Sequence, residues 1–107
     1  MPTKSVPIKL KDGKERVLRF DWEALCRFEE EFGYSVIEIG KRLGSGTINF
    51  LDATRAIWVG LLHEEKPMSL REVRALCILD DFFHYLKAIG PAISEAIPTE
   101  KETEKKA

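Results

Sequence analysis

Three consecutive glutamates, Glu29, Glu30 and Glu31, close the stretch "RFDWEALCRFEEEFG". Carboxylates this close could serve hydrolysis or hold a cation, but hydrolysis needs a second acid or a base placed across the reacting bond. Each helical residue turns its side chain by about 100°, so the three cannot act together from one helix. Glu30 and Glu31 fall with Glu23 and Arg27 on the side facing water. Glu29 falls inside the apolar stripe of Leu25, Phe28 and Phe32, where an unpaired charge is costly. Two partners are open to it: a structural one, from Arg19, Arg55 or a free helix amide, or a contact with a bound protein.

The remaining reactive side chains are sparse. Asp80 and His84 stand four apart, a spacing that can offer two metal ligands from one helix face, and His63 precedes Glu64 and Glu65. No HExxH or comparably dense ligand motif accompanies them, so no metal is expected, and the histidines read as surface groups. Cys26 and Cys77 lie far apart among apolar helical residues and read as buried reduced thiols. No GxSxG surrounds a serine, and "GSGT" is too short for a phosphate-binding loop. The sequence therefore predicts neither an enzyme nor a cofactor.

The elements that carry these residues follow from local signals. "VPIKLKDGKERVLRF" alternates apolar Val6, Ile8 and Leu10 with polar residues, turns at Asp12-Gly13, and resumes with Val17, Leu18 and Phe20. An Asp-Gly pair between such runs predicts a β-hairpin over about 5–20. A two-stranded ribbon is marginal alone and must lay its apolar face on helices. Asp21 caps a helix from Trp22 to Phe32, and Gly33 ends it. Ser35 caps a second helix that Gly44 follows, with Val36, Ile39 and Leu43 in an apolar row.

From about Asn49 to Glu64, Phe50, Leu51, Ala53, Ile57, Trp58, Leu61 and Leu62 form a broad apolar arc, with Asp52, Arg55 and His63 outside it. So wide an arc predicts a central helix with several neighbours. Ser69 and Glu72 form an S-x-x-E capping box that opens the next helix. In the last segment Phe82, Leu86, Ile89 and Ile93 share a face, Phe83 and Tyr85 lie off its centre, and Gly90-Pro91 should break or kink the helix. The charged tail at 99–107, "TEKETEKKA" from Thr99, has no long apolar side chain and is expected to be disordered.

The fold class expected is α+β, mainly α: one domain over about 1–98, a hairpin packed on four or five helices spanning about 22–97. A chain of 107 residues buries only about 60–65% of its unfolded surface, so its core is thin and self-association is expected. With 44% hydrophobic and 33% charged residues and a net charge of -1, nothing favours phosphate polymers. Arg71 and Arg74 lack helix-turn-helix spacing, so nucleic acid is not an expected partner. No apolar run approaches about 18 residues and no signal-peptide segment opens the chain, so no membrane is expected and the compartment predicted is the cytoplasm.

The order of these segments resembles the small tail assembly chaperones of long-tailed bacteriophages, in the branch shared with gene transfer agents. The matching residues are "LRFDWEALCRFEEEFG", "SVIEIGKRLGSG", "FLDATRAIWVGLLH" with its Gly60-Leu61, and "MSLREVRAL", and the resemblance spans roughly Val6 to Cys77. The resemblance implies a protein without chemistry of its own that binds the tape measure protein in several copies. It would cover that protein's apolar helices, help recruit tail tube protein, act in the host cytoplasm, and be absent from the mature virion. It also implies a frameshift-extended form, for which the tail is a suitable place. The alternative is a structural virion component, such as a tail completion or head-tail connector protein. Residue type and helix face nominate Trp22, Phe28, Trp58, Phe82, Phe83 and Tyr85 for contact with a protein partner, and Glu29, Asp21, Ser69 and Glu72 for structural polar roles.

Overall fold

A computed structural model describes residues 6–96, so the charged tail at 99–107 lies outside the described residues. Strand β1 (Val6–Lys9) pairs antiparallel with β2 (Glu15–Leu18), Val6 opposite Leu18 and Lys9 opposite Glu15. Gly13 takes φ +76°, which the turn requires and which a Cβ would oppose. Asp12 accepts from the Lys14 amide and, at 2.7 and 2.9 Å, from the guanidinium of Arg16. The Arg16 hydrogen bond leads in holding the Asp12 carboxyl down to about 2.

Five helices follow: α1 (Trp22–Phe32), α2 (Val36–Ser45), α3 (Phe50–Gly60), α4 (Leu70–Leu76) and α5 (Phe82–Ala96), with one 3₁₀ turn over Leu79–Asp81. The fold is α+β and mainly α, as the sequence predicts. Asp21, Ser35 and Asn49 each accept a first-turn amide, and Ser69 with Glu72 forms the reciprocal capping box.

Three boundaries differ from the sequence reading. Helix α2 runs through Gly44 to Ser45, because Gly46, at φ 74°, is the glycine that takes the left-handed cap. Helix α3 stops at Gly60, short of Glu64. Helix α5 continues through Pro91, where Gly90 offers no Cβ to crowd the proline ring.

Helix α3 is the centre of the molecule and packs on α1, α2, α4, α5 and β2. The hairpin turns Ile8, Leu10, Leu18 and Phe20 inward, with β1 on α5 and β2 on both α3 and α5. Two of its amides complete helix ends, since Lys11 donates to the Leu76 carbonyl at 2.8 Å and Arg19 to the Gly60 carbonyl at 2.9 Å.

That second bond draws α3 against β2. A Cβ at Gly60 would lie 2.8 Å from Leu18 Cδ2, 3.1 Å from Phe20 Cε1 and 3.2 Å from Leu18 Cβ. Alanine has the better helix propensity, by about 1 kcal/mol, but overpacking a core costs about 1–3 kcal/mol. Crowding should win here, because Leu18 Cβ moves only with its strand. Gly60→Ala is expected to lower the denaturation midpoint by an amount equivalent to about 1–2 kcal/mol, and an unchanged or higher midpoint would show that the strand can shift.

Candidate functional site

The tight link between α1 and α2 builds a groove. Gly33, at φ 75°, ends α1 by donating to the Glu29 carbonyl, and two residues later the Ser35 hydroxyl accepts from the Ile37 amide to open α2. Because α1 turns Ala24 and Phe28 inward, Trp22 is left 81% exposed. Trp22, Leu25, Cys26 and Glu29 form one wall, Ser35 and Ile37 the other, and Ala96 from the end of α5 closes one side, around a volume of about 360 Å³.

Glu29 does not find the structural partner that its place in the apolar stripe suggested. It is exposed at this groove, and its carboxylate meets neither Arg19, Arg55 nor a free helix amide among the described residues. The stripe is narrower than the spacing implies: α1 buries Ala24 and Phe28, which rotates Glu29 and Trp22 to the rim.

A second apolar surface lies where α3 meets the 3₁₀ turn and α5. Phe50, Leu79 and Phe83 are exposed there, the last two by 73% and 72%. Half-buried Phe82 joins them, its ring 4.6 Å from Phe50 and 5.6 Å from Phe83. Beside them is a depression of about 180 Å³ with Ala53, Ile57 and Tyr85 among its lining residues. The sequence arc of α3 placed Phe50 and Leu51 toward the core, but both are exposed because the helix rolls its Ala53, Ile57 and Gly60 side inward.

Of the six nominated contact residues, the structure keeps Trp22 and Phe83 at the surface and Phe82 halfway. Phe28, Trp58 and Tyr85 are corrected to core residues. The Phe28 ring stands edge-on to Phe32 at 4.9 Å and to Tyr34 at 5.0 Å. Trp58 packs edge-on to Phe32 at 5.5 Å, under the Arg27 guanidinium. The Tyr85 hydroxyl accepts from the Ile78 amide at 2.9 Å, anchoring the chain between α4 and the 3₁₀ turn, and burial pushes its pKa up.

The polar centre of the molecule was not nominated at all. Asp52, expected outside the apolar arc, is 2% exposed. It accepts from the Tyr34 hydroxyl at 2.6 Å and from Arg42 Nη1 at 2.9 Å to each carboxylate oxygen, while its amide donates to Asn49. Burial alone would raise its pKa, but the Tyr34 and Arg42 hydrogen bonds outweigh burial and the carboxyl is lowered. Burial and then the Asp52 bond raise the Tyr34 hydroxyl. Arg55 stacks 4.6 Å over Phe32 and reaches the Tyr34 oxygen at 3.5 Å, with its buried Nε left unpaired. An acid alone in the apolar run "FLDATRAIW", three residues after an Asn cap, was the available signal. The cluster locks α2, α3 and the loop before α2 together, and its acid is occupied by structural donors.

Among the described residues no three His, Cys, Asp or Glu side chains are grouped to hold a metal ion. Asp80 and His84 are both exposed, and His63 Nε2 lies 2.8 Å from the Val17 carbonyl, a bond to the hairpin. Cys26 and Cys77 are free and half-buried, and burial raises the Cys77 thiol. No helix among the described residues is long and apolar enough to cross a membrane. The chain matches no protein-family model, no curated protein and no solved structure, so the two apolar surfaces stand as candidate sites on geometry alone.

Proposed function

We propose that the protein is a non-enzymatic tail assembly chaperone of the long-tailed bacteriophage type, acting in the host cytoplasm. It binds apolar helical stretches of the tape measure protein, keeps them soluble, and helps bring tail tube protein to them. The observation that supports this reading is the exposure of large apolar side chains in two places on so small a domain: Trp22 with Ile37, and Phe50 with Leu79 and Phe83. Apolar surface of this kind suits contact with another chain. Covering it contributes about 25 cal/mol per Å² before the cost of association, so one contact is weak and many copies along one extended client become strong together. The surface of Phe50, Leu79 and Phe83 would also support self-association.

Coexpression with the product of the longest neighbouring reading frame tests the proposal. The soluble fraction of that protein is expected to rise several-fold with the wild-type chain, and to return toward its unaided level with the Trp22→Ala, Phe83→Ala double variant. No gain with the wild-type chain would overturn the reading. Recovery of the chain from purified mature particles at ring-like copy number would replace it with the structural virion role.

A further inference from the structure

We infer that the groove between α1 and α2 takes an amphipathic client helix that carries a lysine or arginine about two turns from its apolar residues, with the cation meeting Glu29. The inference rests on the chaperone reading and adds to it the chemistry by which a segment is chosen. Trp22, Cys26 and Glu29 descend one face of α1 at spacings of four and three residues, a length of about 10 Å. Trp22 and Leu25 make one end of this wall apolar, Glu29 puts a carboxylate about two turns further along it, and Ser35 and Ile37 line the groove from the start of α2.

That carboxylate has no partner among the described residues. A purely apolar helix laid over it would strip its water and return nothing, and an acidic one would add repulsion. A basic side chain two turns along from the residues that cover Trp22 replaces that water with a charge-assisted hydrogen bond. Outside the groove, the water-facing side of α1 carries Glu23, Glu30 and Glu31 against Arg27 alone, so the charge surrounding it has the same sign. A second copy apposed through the same groove would set one Glu29 against the other, which favours a basic client helix over self-pairing at this groove.

Fluorescence anisotropy with the full chain and three labelled helical peptides of about 18 residues tests the inference. All share one leucine stripe; the first has lysine two turns along that stripe, the second glutamate there, and the third has the lysine moved to the opposite face. The first should bind about five-fold more tightly than either of the others, the range of a single partly exposed charge pair, and the ratio should shrink as salt rises. Glu29→Lys should reverse the order of the first two without moving the thermal midpoint, and Trp22→Ala should weaken all three. Equal affinities, no binding, an order that Glu29→Lys leaves unchanged, or binding lost with Phe83→Ala and kept with Trp22→Ala would each overturn it. A client solubilised in coexpression without this peptide order would sink the groove assignment alone, whereas failure of solubilisation removes the chaperone reading itself.

Discussion

Truncating Phe28 to alanine is expected to destabilise the fold by about 3–5 kcal/mol, whereas Trp22→Ala, near the start of the same helix, should move it by no more than about 0.5 kcal/mol. The two aromatics were nominated for the same surface role, yet Phe28 is 0% exposed. Losing its ring opens a cavity bounded by Phe32 and Tyr34, and removes the edge that holds Tyr34 toward Asp52. The Trp22 side chain gives up little besides contact with water. Urea denaturation of both variants measures the difference, and similar losses would mean that Phe28 does not sit in the core. A loss of the proposed client binding in Phe28→Ala would therefore report unfolding, and only the surface variants would test the proposed docking.

Asp52→Ala should cost about 2–3 kcal/mol, by leaving the Tyr34 hydroxyl and one Arg42 nitrogen without their acceptor. The figure stays below that of a fully buried pair because Arg42 is partly in water and can rehydrate. The sign of the pH dependence follows from the lowered carboxyl. Its contribution is fully present above the unfolded aspartate value of about 3.9 and is lost as pH falls through the lower folded value. The wild-type melting temperature should drop below about pH 4, and Asp52→Asn should flatten part of that drop. Asp12, held at about 2 by Arg16, adds a loss of the same sign at the hairpin, so Asp12→Asn separates the two contributions. An acid profile unchanged by Asp52→Asn would contradict the assigned network.

Local signals carried much of this architecture. Asp21 and Gly33 bracket α1 at both ends, and Ser69 with Glu72 fixes the start of α4, because capping is chemistry between near neighbours in the chain. The hairpin was legible for the same reason, from one Asp-Gly pair between alternating runs. What periodicity could not supply was rotation about each helix axis. A fraction of a turn on α1 sends Glu29 and Trp22 to the rim while Phe28 stays buried, and on α3 it brings Asp52 in and turns Phe50 out while Ala53 and Ile57 stay buried. Such choices depend on partners distant in sequence: Tyr34 and Arg42 decide for Asp52, and Leu18 and Phe20 decide for Gly60. The candidate contact surface was therefore found by residue type in Trp22 and Phe83 and missed by helix face in Phe28, Trp58 and Tyr85.

The ribbon's place in the molecule has a temporal consequence. Its strands precede all five described helices in the chain, but the helix that covers β1 is α5, and the carbonyls that receive its amides belong to the ends of α3 and α4. Ile8, Leu10, Leu18 and Phe20 thus stay uncovered until α5 has been synthesised, and closure waits on contacts between the first and last described elements. A protein read here as a guardian of another chain's apolar segments is, while nascent, a chain with greasy strands of its own to protect.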